Sequence, residues 1–292
     1  KRVVIDAYEK NKSYSQCEKY INDVISLGVK RGNNIAAIGG GITQDIVGFI
    51  SSILYRGLSW NFYPTTLLAQ CDSCIGGKTS INLGSFKNTV GNFNPPNKIF
   101  INLSFLSTLS NQDVQSGIGE IIKVCFIDKE KTINDLSLVE AIEQNSVTKD
   151  LIQKSLNIKK KIIEIDEFDK NVRNIMNYGH TFGHAIESVT NFEIPHGISV
   201  GIGIHIANQI SKKIFGSENI KKLDPVMKKF IEINEKHFLA FKEYLVLDRY
   251  IEALKKDKKN VDLTSITCIL TKGQGKMFKK AIKIDVLRNI LN

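Results

Sequence analysis

The stretch NNIAAIGGGITQD, which runs from Asn33 to Asp45, decides the fold of this chain. Its first half is a short apolar run that leads directly into three consecutive glycines, Gly39 to Gly41. After the glycines, apolar residues recur at helical spacing from Asp45 to Leu54. A strand that turns through glycines into a helix is typical of parallel sheets with crossover helices. We therefore predict that this part of the chain is an α/β domain.

Two further runs fit strands of the same sheet, Trp60–Tyr63 and Lys98–Asn102. The first residues, Lys1–Val4, also look like part of a strand, and we expect the domain to be N-terminally truncated. The sequence predicts that this α/β domain occupies residues 1–110.

From about Asn111 onward, helical periodicity dominates. It predicts helices over Asp113–Phe126, Ile133–Glu143, Lys149–Glu164, His180–Val189 and Gly197–Ile214. Only Ile266–Leu270 and a piece near Ala281–Ile284 look like strands. We therefore predict a second, mainly helical domain over residues 111–292.

Composition excludes several classes of protein. Of the 292 residues, 42% are hydrophobic and 24% are charged, which is enough apolar material for a core and excludes a disordered chain. No run of about eighteen apolar residues occurs, so we expect no membrane span. The five cysteines are odd in number and irregularly spaced, which indicates free thiols and a cytoplasmic location.

The net charge of +10 comes from 40 Lys and Arg against 30 Asp and Glu. A nucleic-acid-binding protein usually gathers such charge into one patch with interleaved aromatics, whereas here lysines are spread along the whole chain. Most lysine runs fit solvated helix faces, and a few could serve an anionic small-molecule substrate. We expect no nucleic-acid partner.

Three of the five histidines fall within seventeen residues: His180, His184 and His196. The first two are four residues apart and would share one face of a helix. Glu120 lies earlier, in a GIGEIIK stretch. Two histidines and a carboxylate are a common ligand set for catalytic Zn²⁺. The alternative is that the HxxxH pair belongs to a helix surface or a satisfied core.

The glycine-rich segments suggest anion binding. Gly39–Gly41 could receive a phosphate at a helix N-terminus, or could simply form a tight turn. Gly76-Gly77-Lys78 and Lys87-Asn88 resemble a loop that cradles an anion. The CxxC pair Cys71/Cys74 lacks a second pair, and we interpret it as packing rather than as a metal or redox site.

Taken together, the motifs resemble those of the 3-dehydroquinate synthases, within the sugar-phosphate cyclase superfamily. The motifs that carry the resemblance are GGGITQD (39–45), YRG (55–57), PTTLLAQ (64–70), DSCIGGK (72–78), GEIIK (119–123), NYGHTFGHAIE (177–187), HG (196–197) and DKKN (257–260). They come in the family's order and cover the chain from about Glu9 to Asn260. The resemblance implies a Rossmann-like NAD-binding domain followed by a helical metal-binding domain, with the active site between them.

The resemblance also assigns residues. For NAD it implies Glu9, Lys12, Gly40, Gly41, Ile42, Asp45, Thr65, Thr66, Leu68, Asp72, Ser73, Lys78, Lys87, Phe105 and Thr108. For Zn²⁺ or Co²⁺ it implies Glu120, His180 and His196. For catalysis it implies Lys78, Lys123, Lys159, Arg173, Asn177 and His184. For substrate contact it implies Arg56, Asn88, Asp169 and Lys258, with Arg56 reaching the site of a neighbouring subunit in a homodimer.

The implied activity is that of a carbon–oxygen lyase, which cyclises a seven-carbon keto-sugar phosphate to 3-dehydroquinate and releases phosphate. Two positions depart from the family pattern: Asp169 and Ile198 each stand where the family usually has Glu. Two alternatives stay open, a cyclase for another sugar phosphate and a metal-dependent polyol dehydrogenase. The latter would not explain the cationic residues, because its substrate carries no charge.

Overall fold

The computed structural model of the protein describes residues 1–84, 86–256 and 264–291. The chain divides into two compact units, Lys1–Leu109 and Ser110–Asn292. In the described ranges, no helix combines the length and the apolar character needed to cross a membrane.

The first unit is an α/β structure. Its helices and strands are α1 (Tyr14–Ser26), β1 (Asn34–Gly39), α2 (Gly41–Ile53), β2 (Ser59–Pro64), β3 (Lys78–Leu83), β4 (Phe86–Phe93) and β5 (Lys98–Ile99). Strands β1, β2 and β5 form a parallel sheet in that order, in which Gly39 pairs with Pro64. The α/β class predicted from the glycine turn is thereby confirmed.

Helix α2 packs because its apolar residues share one face. Ile46, Phe49 and Ile50 follow the three- and four-residue spacing of a buried helical stripe, and all three are buried. They form a core with Cys17 and Tyr20 of α1. This core supports the glycine turn at the start of α2.

Two expectations for the first unit are wrong. Lys1–Tyr8 contains no strand. Lys78 and Asn88 lie on β3 and β4, which form an antiparallel hairpin rather than a glycine-rich loop. The hairpin escaped prediction because glycines and lysines interrupt the alternation of apolar and polar residues that marks a strand.

The second unit is mainly helical. Its helices are α3 (Asn111–Ile127), α4 (Asp135–Gln144), α5 (Lys149–Ile165), α6 (His180–Val189), α7 (His196–Phe215), α8 (Asp224–Ile233), α9 (Glu235–Tyr244), α10 (Leu247–Lys255) and α11 (Ile284–Leu291). Strands β6 (Ser265–Thr271) and β7 (Met277–Lys283) form an antiparallel hairpin.

Local sequence fixes where several helices begin. The side chains of Ser110, Asn134 and Thr148 precede α3, α4 and α5, and each accepts a hydrogen bond from a backbone N–H in the first turn. Such N-caps satisfy donors that the helix itself leaves unpaired.

The five cysteines are all free and buried.

Candidate active site

Three helices of the second unit bring the predicted metal ligands together. Glu120 lies in the middle of α3, whereas His180 and His196 are the first residues of α6 and α7. Glycines let these helices approach closely: a Cβ atom on Gly183 would lie 2.9 Å from the carbonyl oxygen of Ser199, where α6 meets α7. The absence of side chains at this crossing brings the helix starts within reach of one another.

The donor atoms have the spacing of a tetrahedral metal site. Glu120 Oε1 lies 3.3 Å from His196 Nε2 and 3.6 Å from His180 Nε2. Two bonds of about 2.1 Å from one Zn²⁺ at a tetrahedral angle end about 3.4 Å apart. His184 joins the cluster, because one ring nitrogen from each of the three histidines lies within 4.8 Å of the others.

The opposite ring nitrogens of the two histidines are held by acceptors. His196 Nδ1 lies 3.1 Å from Glu187 Oε2, and His180 Nδ1 lies 3.3 Å from the carbonyl oxygen of Tyr178. Each acceptor favours a proton on Nδ1, which leaves a lone pair on Nε2 facing Glu120. In their neutral forms, both histidines then present an Nε2 ligand atom beside the Glu120 carboxylate, which is the donor set that Zn²⁺ takes. The residues therefore fit a divalent metal ion.

Glu120 is a buried anion with a buried cation beside it. Its carboxylate is 1% exposed and pairs with Lys123 one turn later on α3. Burial alone would raise the pKa of Glu120, but Lys123 and His196 outweigh burial and lower it below its usual range. Burial lowers the pKa of His196, but Glu187 and Glu120 outweigh burial and raise it to about 9. Glu120 therefore stays ionised, and a divalent cation that binds it would displace the proton from His196 Nε2.

A loop between α5 and α6 carries three further predicted residues. Arg173 is 3% exposed, and its Nη1 donates to the carbonyl oxygen of Glu167. The Asp166 side chain accepts from the backbone N–H of Arg173 at 3.0 Å, which fixes the loop locally. Asn177 Nδ2 donates to the Asn174 carbonyl oxygen at 3.1 Å. Asp169, in the same loop, has a left-handed backbone with φ 55°.

Of the two remaining predicted lysines of this unit, only Lys159 lies among the described residues. Lys159 is buried on α5, where long cationic side chains are rare unless they have partners. Lys258 lies outside the described residues.

In the first unit, the predicted nucleotide residues follow the carboxyl ends of adjacent parallel strands. Gly40 and Gly41 follow β1, Thr65 and Thr66 follow β2, and Phe105 and Thr108 belong to a 3-10 helix after β5. Ligands of open α/β sheets bind at this edge. Gly40 is the N-cap of α2 and no side chain caps that helix, so its first N–H groups are available to an anion such as a pyrophosphate.

Further predicted residues line the same segment. Ile42 lies in the first turn of α2, and Leu68, Asp72 and Ser73 lie in or beside a π-helical turn over Ala69–Ser73. Ser73 Oγ donates to Gln44 Oε1 at 2.6 Å, and Gln44 Nε2 returns a hydrogen bond to the Ser73 carbonyl oxygen at 2.7 Å. This reciprocal pair ties the turn to α2.

A buried lysine, Lys12, links three other predicted residues of the first unit. Lys12 Nζ lies 2.9 Å from Asp45 Oδ2, 2.7 Å from Asn88 Oδ1 and 3.5 Å from Glu9 Oε1. Burial lowers the pKa of Lys12, but Asp45 and Glu9 outweigh burial and raise it. The structure therefore groups Glu9, Lys12, Asp45 and Asn88. Lys78 and Arg56 are exposed, and Lys87 is half-buried.

Comparison with known proteins decides the family. The profile of the 3-dehydroquinate synthase N-terminal domain matches residues 2–116, and that of the C-terminal domain matches residues 117–260. This chain belongs to the 3-dehydroquinate synthase family. It is therefore an enzyme, and the resemblance inferred from its motifs is confirmed.

A 3-dehydroquinate synthase from Helicobacter pylori (strain P12) is 39% identical over 280 residues, which are 93% of this chain and 77% of the relative. Among solved structures, a 2-deoxy-scyllo-inosose synthase complexed with carbaglucose-6-phosphate, NAD⁺ and Co²⁺ is 25% identical, with a TM-score of 0.83, covering 97% of this chain and 80% of that one. The 2-epi-5-epi-valiolone synthase from Streptomyces hygroscopicus subsp. jinggangensis 5008 shares the fold, at 22% identity and a TM-score of 0.84 over 99% of this chain and 81% of that one.

Three residues that were not identified from sequence contact predicted site residues: Glu187 in the second unit, and Ser80 and Asn82 in the first. Glu187 could have been found, because it follows His180 by seven residues on α6 and so lies on the same face. Ser80 Oγ lies 3.0 Å from Asn88 Oδ1, and the Ser80 N–H donates to Asp45 Oδ1 at 3.0 Å. The partners of Ser80 and Asn82 are on other segments, and no local spacing reveals them.

Proposed function

We propose that this enzyme converts 3-deoxy-D-arabino-heptulosonate 7-phosphate to 3-dehydroquinate and inorganic phosphate, with NAD⁺ and Zn²⁺ as cofactors. Co²⁺ would suit the same ligands. The observation that carries the proposal is the arrangement of Glu120, His180 and His196, in which both histidine Nε2 atoms lie beside the buried carboxylate at the spacing of metal ligands. The similarity to named 3-dehydroquinate synthases supports the choice of product.

A specific set of residues is proposed to bind each cofactor. Glu120, His180 and His196 would hold Zn²⁺, and the turn at Gly40-Gly41 with Thr65, Thr66 and Asp45 would hold NAD⁺. When bound, NAD⁺ would take up and return one hydride, and Zn²⁺ would polarise hydroxyl and carbonyl oxygens of the substrate. A solved relative described with a sugar-phosphate analogue, NAD⁺ and Co²⁺ supports this pair of cofactors.

The chain's own cations would bind the substrate's two anionic groups. A guanidinium fork suits a planar carboxylate, and Arg173 is the buried arginine of the loop before α6. Lysines act as point charges toward phosphate. The residues we propose for substrate contact are Lys78, Lys123, Lys159, Arg173, Asn177, His184, Asn88, Asp169, Lys258 and Arg56. Asn177 and His184, retained from the family pattern, favour the carboxylated substrate.

We further propose a homodimer in the cytoplasm. Arg56 is exposed on a left-handed backbone with φ 65°, where its side chain is available to a second subunit. Five free, buried thiols suit a reducing compartment. Light scattering of the purified protein tests the dimer, and a monomer at micromolar concentration would contradict it.

The test of the reaction uses the full-length protein with NAD⁺ and Zn²⁺. It is supplied with 3-deoxy-D-arabino-heptulosonate 7-phosphate and, separately, with sedoheptulose 7-phosphate. We expect phosphate release and 3-dehydroquinate from the first substrate. Release from the second substrate alone would contradict the proposed product and favour a cyclase for another sugar phosphate.

Absorbance at 340 nm in the same assays addresses the polyol dehydrogenase. A net oxidation accumulates NADH, whereas a reaction that returns its hydride does not. We expect no stoichiometric NADH with the sugar phosphate and none with glycerol. Accumulation with glycerol would favour the dehydrogenase.

A further inference from the structure

Asn82, on β3, contacts three separate residues of the predicted nucleotide and substrate site. Its Nδ2 donates to Glu9 Oε1 at 2.9 Å, and its Oδ1 accepts from the backbone N–H of Asn88 at 2.8 Å. Its backbone N–H donates to the carbonyl oxygen of Lys12 at 2.8 Å. A parallel bridge between Ser13 and Asn82 continues this contact along the strand.

These hydrogen bonds require an amide. The Asn82 Nδ2 group donates to the Glu9 carboxylate, while the Asn82 Oδ1 atom accepts from the Asn88 N–H. An aspartate side chain has the same shape but can only accept. An aspartate at position 82 would keep the bond to Asn88 but would face Glu9 with like charge. The same replacement therefore separates the two contacts.

Both contacts bear on groups that need fixed positions. Asn88 has a left-handed backbone with φ 54°, and its Oδ1 accepts from Lys12 at 2.7 Å and from Ser80 at 3.0 Å. Glu9 lies 3.5 Å from Lys12 Nζ. Asn82 thus holds the backbone of Asn88 and the carboxylate of Glu9, while Lys12 bridges the two from the other side.

We propose that Asn82 is a positioning residue that couples the Glu9–Lys12 segment to Asn88, so that NAD⁺ and substrate contacts are held in one arrangement. This inference rests on the proposed function, which assigns Glu9 and Lys12 to NAD⁺ and Asn88 to substrate. Asn82 touches neither ligand in this proposal and acts through its neighbours. Replacing Asn82 should therefore change the affinity for NAD⁺ and the KM for the substrate, which can be measured separately.

The test measures NAD⁺ binding to the full-length protein by calorimetry, which needs no turnover, and the KM for the sugar phosphate in a separate activity assay. Asn82→Asp should weaken NAD⁺ binding about ten- to hundredfold, because a charge-assisted hydrogen bond is replaced by repulsion. It should change the KM for the sugar phosphate by less than about threefold, because the bond to Asn88 remains. Asn82→Ala removes the hydrogen bonds to Glu9 and to Asn88. It should raise both the dissociation constant of NAD⁺ and the KM for the sugar phosphate.

Two comparisons keep the result specific. Asn22→Asp, on the exposed surface of α1, makes the same charge change and should leave NAD⁺ affinity unaltered. In the double variant Glu9→Gln/Asn82→Asp, an amide at position 9 can donate to the new carboxylate, so that the bond re-forms with reversed polarity. NAD⁺ affinity of this variant should match that of Glu9→Gln alone within about twofold.

The outcomes separate this inference from the proposed function. Wild-type NAD⁺ affinity in a folded Asn82→Asp protein would overturn the positioning role alone. If Asn82→Asp does not fold, the comparison of Glu9→Gln with the double variant decides, and a tenfold or larger gap between them overturns the role. Failure of the unaltered protein to bind NAD⁺ would overturn the proposed cofactor and this inference together.

Discussion

Gly119 packs against the backbone of Gly197 so closely that a Cβ atom on Gly119 would overlap the Gly197 carbonyl oxygen. A Cβ on Gly197 would in turn overlap the carbonyl oxygen of Ser116. Each glycine is the sequence neighbour of a predicted ligand, Glu120 or His196. The close backbone packing of α3 against α7 at these glycines therefore sets the 3.3 Å separation of Glu120 Oε1 and His196 Nε2.

Gly119→Ala should reduce both stability and metal content. The new methyl group must push α3 away from α7, and overpacking of this kind costs about 1–3 kcal/mol. The higher helix propensity of alanine returns only about 1 kcal/mol. Thermal unfolding and metal analysis after dialysis measure the two effects. Gly32→Ala, where a Cβ meets nothing within 4 Å, is the control, and equal metal content in both variants would contradict the role of this contact.

Glu187→Gln should weaken metal binding without removing a ligand. Glu187 holds His196 Nδ1 at 3.1 Å, and replacing a carboxylate that orients a metal-bound histidine usually costs 10–100-fold in metal affinity. Competition with a chelator gives the dissociation constant. Glu193→Gln, which alters an exposed glutamate bonded to Tyr244, should leave that constant unchanged. Equal affinities in the two variants would exclude a supporting role for Glu187.

The sequence predicted the regular elements better than the contacts between them. Helix α6 spans His180–Val189, as its periodicity predicted, because a buried stripe imposes a spacing that local sequence displays. The β3–β4 hairpin carries no such pattern and was missed. Asn82 lies 73 residues from Glu9, and pairing over that distance depends on the folded path of the chain.

Lys123→Met should destabilise the metal-free protein far more than the metal-loaded one. The Lys123 and Glu120 side chains are 3% and 1% exposed, and removing one partner of a buried ion pair costs about 3–5 kcal/mol. A bound Zn²⁺ would compensate the carboxylate that is left behind. Denaturant unfolding with chelator and with excess Zn²⁺ gives the difference.

The control for this prediction is an exposed pair of similar spacing. Lys154 and Asp150 lie one turn apart on α5, with side chains 39% and 70% exposed. Lys154→Met should cost about 0–1 kcal/mol and should not respond to Zn²⁺. A Lys123→Met protein whose stability loss is the same with chelator and with Zn²⁺ would show that no cation binds beside Glu120.

Gly41→Ala tests the nucleotide site with little disturbance of the fold. A Cβ on Gly41 would meet only Ser73 Oγ, at 3.9 Å, whereas a Cβ on Gly40 would lie 2.8 Å from Thr66 Cγ2 and would move that side chain. A substitution at Gly40 would thus disturb both local packing and NAD⁺ binding. A substitution at Gly41 would affect NAD⁺ binding without disturbing the packing. The added methyl group stands at the first turn of α2, where we propose that the pyrophosphate binds the helix N–H groups. We expect unaltered thermal stability and NAD⁺ binding weakened at least tenfold by calorimetry, with Gly32→Ala again unchanged. A Gly41→Ala protein with wild-type affinity would place the pyrophosphate elsewhere.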